Sequence, residues 1–191
     1  MLNTIDKLSK EFLQLTEILP IRIISHHDTD GITSASILIQ ALKRLNKKFS
    51  VKIIKGLEES IIKDELKRNE ILFFCDLASS SLNYLKEAKN PVFILDHHEI
   101  NKEDIPENIH IVNSLLFNEE DVSGAGLCYL FAKALSPKNK DLAKLALIGM
   151  IGDRIEHISK TAQSGFIGCL IKIRLFHVIT ITWKLLIVNR D

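Results

Sequence analysis

The chain has 191 residues, Lys+Arg 25 against Asp+Glu 24, a net charge of +1 and 46% apolar positions. That size and composition fit one α/β domain, alone or with a short appendage, and exclude disorder as the main state. Near-neutrality provides no global positive field, so any surface for a polyanion must be local. Cys75, Cys128 and Cys169 lie far apart and form no Cys-x-x-Cys pair. A disulfide framework or zinc finger is excluded, and a reducing cytoplasm is the expected location.

Residues 1–15 carry Leu2, Ile5, Leu8, Phe12, Leu13 and Leu15 with Lys7, Lys10 and Glu11 among them. This is an amphipathic helix, since no signal-peptide core tolerates such charges. A β-branched run over 21–24 predicts the first strand and stops at a polar cluster. Helical spacing of apolar residues follows over 34–45. Further strands are predicted over 51–54, 71–75, 92–95 and 109–112, and helices over 60–67, 82–88, 124–135 and 140–151. Ser81 is a candidate cap for the 82–88 helix. Alternation of helices with fully apolar strands predicts an α/β fold, a mainly parallel sheet of about five strands with helices on both faces.

Residues 165–188 differ, with strand tendency and no assigned place. Lys172, Arg174 and Lys184 fall within this stretch. A cation at the centre of a membrane span costs roughly 2.5–3.5 kcal/mol, so no transmembrane segment is expected there.

The acids cluster just after strand ends, the edge where open α/β sheets bind ligands. The first cluster is Ser25-His26-His27-Asp28-Thr29-Asp30-Gly31. In an extended segment, His26, Asp28 and Asp30 at spacing two project to one side and suit a borderline-hard cation such as Mn²⁺. A polar loop with a helix-capping Asp is the plain alternative. Asp76, followed by Ser79-Ser80-Ser81, is a helix cap or turn residue if alone. In company it is a carboxylate able to bridge two metals.

Leu95-Asp96-His97-His98-Glu99 follows a buried strand, where imidazoles are costly without partners. One ring can ligate a metal while its neighbour faces a phosphate, and Asp96 can orient a ring. Ser123-Gly124-Ala125-Gly126 offers a small-residue helix start whose amides can approach a phosphate. Gly152-Asp153-Arg154 ends an apolar helix, and by itself Asp153-Arg154 reads as a solvated ion pair.

Together these motifs resemble the DHH phosphoesterase superfamily, and within it the archaeal RecJ-like nucleases. The resemblance rests on H-x-D-x-D-G from His26 to Gly31, Asp76, Asp96-His97-His98, S-G-A-G from Ser123 to Gly126, and Gly152-Asp153. It implies that His26, Asp28 and Asp76 hold one Mn²⁺, and that Asp30, Asp76, His97 and Asp153 hold a second, with Asp76 shared. It also implies His98 on the scissile phosphate, with Asp76 and Asp96 in the catalytic group and Ser123, Gly124 and Gly126 beside the substrate. Mg²⁺ is the alternative metal.

The expected organisation is a DHH domain over 1–158 and an atypical tail over 159–191, a truncated or non-homologous remnant. No second, glycine-rich substrate domain is recognisable after about residue 159, so half the usual substrate cleft is expected to be missing.

The resemblance implies a Mn²⁺-dependent phosphodiesterase, a RecJ-like exonuclease on single-stranded DNA or RNA, with replication and repair proteins as partners. A small-substrate phosphoesterase acting on short oligonucleotides, cyclic dinucleotides or pyrophosphate is the alternative. A non-catalytic replication scaffold is a third reading, although every family metal ligand is retained. The basic run Lys43, Arg44, Lys47, Lys48, Lys52 and Lys55 reads either as a phosphate-tracking surface or as a solvated helix end and edge strand. Few aromatics (6%) argue against an extensive base-stacking platform.

Overall fold

The computed structural model of the chain describes residues 1–117 and 122–153. The expected boundary at 158, the tail over 159–191 and Cys169 lie outside the described residues.

Helices and strands alternate as α1 (Leu2–Leu15), β1 (Ile21–His26), α2 (Thr29–Arg44), β2 (Phe49–Ile54), α3 (Glu59–Glu65), β3 (Ile71–Cys75), α4 (Leu82–Leu85), β4 (Val92–Asp96), β5 (Ile109–Asn113), α5 (Gly124–Leu135) and α6 (Ala143–Gly152). All five strands pair in parallel, in the order β2-β1-β3-β4-β5. Every residue of β3 and β4 is buried, as strands covered on both faces require. From β1 the chain crosses to β2 on one side and then to β3 on the other. The crevice at the carboxyl ends of β1 and β3 is therefore the switch point where such sheets take ligands.

One face of the sheet carries an aromatic core. Phe12 of α1 meets Phe73, Phe93 and Phe131 edge-on, with ring centroids 5.3, 5.1 and 5.5 Å away. The alternate residues Leu72, Phe74, Val92 and Ile94 point to the other face, where Ile62 of α3 and Leu82 and Leu85 of α4 cover them. The two-residue period of fully apolar strands thus serves two separate cores.

The helix boundaries that differ most from the sequence expectation are those of α2, α4 and α6. Helix α2 begins at Thr29 rather than near 34, because Asp28 caps it: its Oδ1 accepts the Gly31 N–H at 2.8 Å. Helix α4 ends at Leu85. Helix α6 begins at Ala143, since Pro137–Leu142 forms a 3-10 turn whose first residue is proline.

Candidate metal centre

The end of β1 and the first turn of α2 place His26, Asp28 and Asp30. The segment is not extended through Asp30, so the projection of all three to one side does not arise from strand alternation. Asp28 sits at the helix cap, and Asp30 lies buried inside the first turn (1% exposed). His26 and Asp28 are brought together another way, with Nδ1 to Oδ2 at 2.7 Å. Burial opposes ionisation of Asp28, but the Gly31 N–H and the His26 ring offset it and hold the carboxyl below its usual range.

β3 delivers Asp76 in an unusual backbone state. Asp76 and Ala78 both have left-handed φ, 61° and 96°, which costs a residue with a Cβ roughly 1–2 kcal/mol each. The turn is tied down on both sides. The Asp76 N–H donates to Leu95 O at 2.8 Å, and the Ser79 N–H donates to Asp96 Oδ2 at 2.8 Å. The result is a carboxylate that is 1% exposed and whose two oxygens, both buried, make no hydrogen bond among the described residues. It has an ion contact with His97, whose Nε2 lies 3.3 Å from Oδ1. Burial, with Asp30 and Asp28 nearby, pushes the Asp76 carboxyl up to about 7.

β4 ends in Asp96, which is wholly buried. Its Oδ1 accepts the His97 N–H at 2.8 Å and lies 2.7 Å from His98 Nδ1. Burial alone would raise this carboxyl, but the His98 and Ser79 hydrogen bonds outweigh it and hold the group at about 2. Among the described residues its polar contacts lie within the chain, which places Asp96 to orient the His98 ring. His97 turns the opposite way and meets Asp30, Asp76 and Asp153 at 3.7, 3.3 and 3.6 Å.

The S-G-A-G start of α5 turns its donors on a carboxylate of the chain itself. Ser123 Oγ donates to Asp30 Oδ1 at 3.0 Å, the Gly124 N–H to Asp30 Oδ2 at 2.8 Å, and the Ala125 N–H to Asp30 Oδ1 at 3.0 Å. The Gly126 N–H turns back to Ser123 Oγ at 3.4 Å. The positive end of the helix therefore anchors Asp30, and the Ser123 hydroxyl and the Gly124 and Gly126 N–H groups are engaged within the chain. Asp153, at the end of α6, comes into the same cluster through His97. Its carboxyl is raised, chiefly by burial.

Three donor sets, each with ligand atoms within 4.8 Å of one another, result: His26, Asp28 and Asp76; Asp30, His97 and Asp153; and Asp76, His97 and His98. Oxygen and imidazole donors of this kind suit hard to borderline divalent cations. The Asp76 carboxylate at the centre fits such an ion, because a buried anion is costly unless cations face it, and among the described residues its ion contact is the His97 ring.

A cleft of about 440 Å³ opens over the cluster, lined by His26, Lys55, Asp76, Ser80, Asp96 and His98 among others. Of the basic run, only Lys55 lines this cleft. Arg44 pairs with Asp141 at 2.7 Å, Lys47 pairs with Glu17, and Lys52 pairs with the buried Glu65 at 3.0 Å. Half of the expected phosphate-tracking surface is thus already neutralised within the chain.

The sequence reading missed Asn113, the last residue of β5. It is fully buried, and its Nδ2 donates to His98 O and to Ser79 Oγ, each at 2.8 Å. The available signal was an amide directly after an apolar strand. Gly31 is required at its position because a Cβ there would collide with the backbone of His26, where α2 turns back over the end of β1.

The DHH family, N-terminal domain, matches residues 20–150. An uncharacterized protein of Methanocaldococcus jannaschii is 35% identical over 142 residues, 70% of this chain and 32% of that protein. YorK of the Bacillus subtilis SPbeta prophage, named as a single-strand DNA-specific exonuclease, is 32% identical over 140 residues, 66% of this chain and 24% of its own. The chain therefore spans a third or less of these curated relatives.

Among solved structures, RecJ with Mn²⁺ from Thermus thermophilus superposes with TM-score 0.67 and 23% identity, covering 78% of this chain and 24% of that one. A second exonuclease RecJ bound to manganese gives TM-score 0.66 and 25% identity, covering 80% and 43%. CDC45 from Entamoeba histolytica, at 17% identity and TM-score 0.65, shares the fold, covering 90% of this chain and 37% of its own. With its matched segment, its parallel five-stranded sheet and its Asp96-His97-His98 motif, this chain belongs to the DHH family.

Proposed function

We propose that the chain is a phosphodiesterase acting through two divalent cations, with Mn²⁺ ahead of Mg²⁺, and that its substrate is single-stranded nucleic acid. The observation that carries this reading is the Asp76 carboxylate, buried, without hydrogen bonds among the described residues, and common to two donor sets. His26, Asp28 and Asp76 would hold one cation, and Asp30, Asp76, His97 and Asp153 the other. Such a pair, when bound, would supply Lewis acidity and neutralise charge on a phosphodiester.

The chain's own residues divide the remaining work. His98 lines the cleft, and the charge on Asp96 favours its protonated form, so a cationic N–H is offered to a phosphate oxygen. The hydrogen bond from His98 Nδ1 to Asp96 fixes the ring plane and leaves Nε2 as the group facing the cleft. Lys55 adds a second positive charge on the rim. The manganese-bound RecJ structures and the YorK name support the nuclease reading over the small-molecule one. Buried free thiols at Cys75 and Cys128 agree with a cytoplasmic protein, and among the described residues no helix is long and apolar enough to cross a membrane. We keep the domain limits of 1–158 and 159–191 within this proposal.

The test uses the 191-residue chain with labelled single-stranded oligonucleotides in Mn²⁺ or EDTA. Cleavage is expected only with metal, and Asp76→Asn is expected to abolish it. Equal cleavage by the variant overturns the shared-ligand role.

A further inference from the structure

Beside the cluster lies a second recess, of about 500 Å³, between the Ser79–Ser81 turn, the start of α4 and the segment after His98. Ser80 and Glu99 line both this recess and the His98 cleft, so the two spaces adjoin. Asn83 and Asn101 contribute amides, and Ile100 and Leu115 contribute apolar wall, Leu115 being 47% exposed. Among the described residues no side-chain hydrogen bond or ion pair engages Ser80, Asn83 or Glu99. Asn101 spends only its Oδ1, on the Glu103 N–H, which leaves both amide hydrogens available.

The chemistry of this wall selects its ligand. Among the described residues no lysine, arginine or histidine lines the recess, and a carboxylate does, so a phosphate is repelled there. What remains is an uncharged, flat group with hydrogen-bonding edges and apolar faces, and the volume lies in the range of small-ligand sites.

We propose that this recess is a nucleobase subsite, which seats one base of a nucleotide whose phosphate lies in the His98 cleft. The position of that phosphate rests on the phosphodiesterase reading, whereas base binding itself does not. Aliphatic side chains flank the base, which suits a chain poor in aromatics. Glu99 only accepts when ionised, so it favours bases with an exocyclic amino group, such as cytosine, over uracil, whose single edge donor, N3–H, lies between two carbonyl oxygens that a carboxylate repels.

The probes are cytidine and uridine, titrated into the full chain in EDTA and followed by backbone amide chemical shifts. Cytidine is expected to bind about tenfold more tightly than uridine, the lower range for one base-edge contact. Glu99→Gln, whose amide can donate to a carbonyl, is expected to remove that preference. Asn83→Ala is expected to weaken both ligands, with circular dichroism confirming that each variant folds. Equal affinities in the parent, no saturable binding, or a preference that survives Glu99→Gln overturns the subsite. Manganese-dependent hydrolysis of bis(p-nitrophenyl) phosphate, which carries no base, separates the two claims. Nucleoside discrimination without that activity sinks the phosphodiesterase reading and keeps the subsite, and activity without discrimination does the reverse.

Discussion

Gly124 and Asp76 are in direct contact: a Cβ built on Gly124 would stand 2.6 Å from the Asp76 Cβ and 2.7 Å from its Oδ1. The first residue of α5 must therefore donate its N–H to Asp30 on one side and make room for Asp76 on the other. A carboxylate in the first turn of α2 and one just after β3 are held close because the helix between them begins without a side chain.

Gly124→Ala is expected to push the Asp76 carboxylate out of place. Overpacking of this kind costs roughly 1–3 kcal/mol, read as a lower urea midpoint in EDTA. Weaker Mn²⁺ binding by calorimetry is expected alongside it. A variant that binds metal as the parent does would show that Asp76 tolerates displacement.

Asp30 and Asp28 are expected to differ sharply in structural weight. Asp30→Ala removes three hydrogen bonds at the start of α5 from a buried site, a loss of roughly 2–4 kcal/mol. Asp28→Ala removes an exposed helix cap, a loss of about 1 kcal/mol. Urea unfolding of both variants without metal measures the contrast, and equal losses would contradict the anchoring of Asp30 by Ser123, Gly124 and Ala125.

The metal-free chain is expected to lose stability as pH rises through neutrality. Asp76 is raised to about 7, so the fold binds its proton more tightly than the unfolded chain does, and stability falls between about pH 4 and 7. His97 is opposed by burial, but Asp76 and Asp153 raise it to about 9. Its contribution is complete below the unfolded value near 6.5 and is lost as pH rises through about 9. Both signs agree. Added Mn²⁺ is expected to displace these protons and reverse the trend, seen as proton release in calorimetry across buffers. Asp76→Asn, which tolerates left-handed φ, is expected to be more stable than the parent in EDTA at about pH 8 and to lose the Mn²⁺-dependent rise in melting temperature.

Asp96 works in the opposite direction and at lower pH. Its carboxyl is held at about 2 against a usual 3.8, so it adds about 2 kcal/mol above about pH 4 and loses this as pH falls to about 2. Asp96→Asn is expected to flatten that acid limb in a series of denaturation midpoints. A limb that stays equally steep would mean the stabilising hydrogen bonds lie elsewhere.

The strands were legible in the sequence because β-branched and aromatic runs such as 71–75 and 92–95 are apolar without interruption, a local property of the chain. The acids and imidazoles after those runs were legible for the same reason: strand ends in a parallel sheet deliver their next residues to one edge. The start of α2 was not, since Thr29 to Thr33 hide helical periodicity behind polar side chains that serve the cluster. Nor was the duty of Ser123 and Gly124, whose partner Asp30 lies more than 90 positions away, or that of Asn113, which reaches back to His98.

By itself, then, the sequence determined which side chains could meet a metal and on which edge of the sheet. Only the tertiary structure decided that Asp76 is left without a hydrogen bond among the described residues, that the helix start spends its charge on Asp30, and that Arg44, Lys47 and Lys52 are already paired. Side-chain identity travels with the chain, but hydrogen-bond satisfaction and charge neutralisation depend on neighbours brought together by folding.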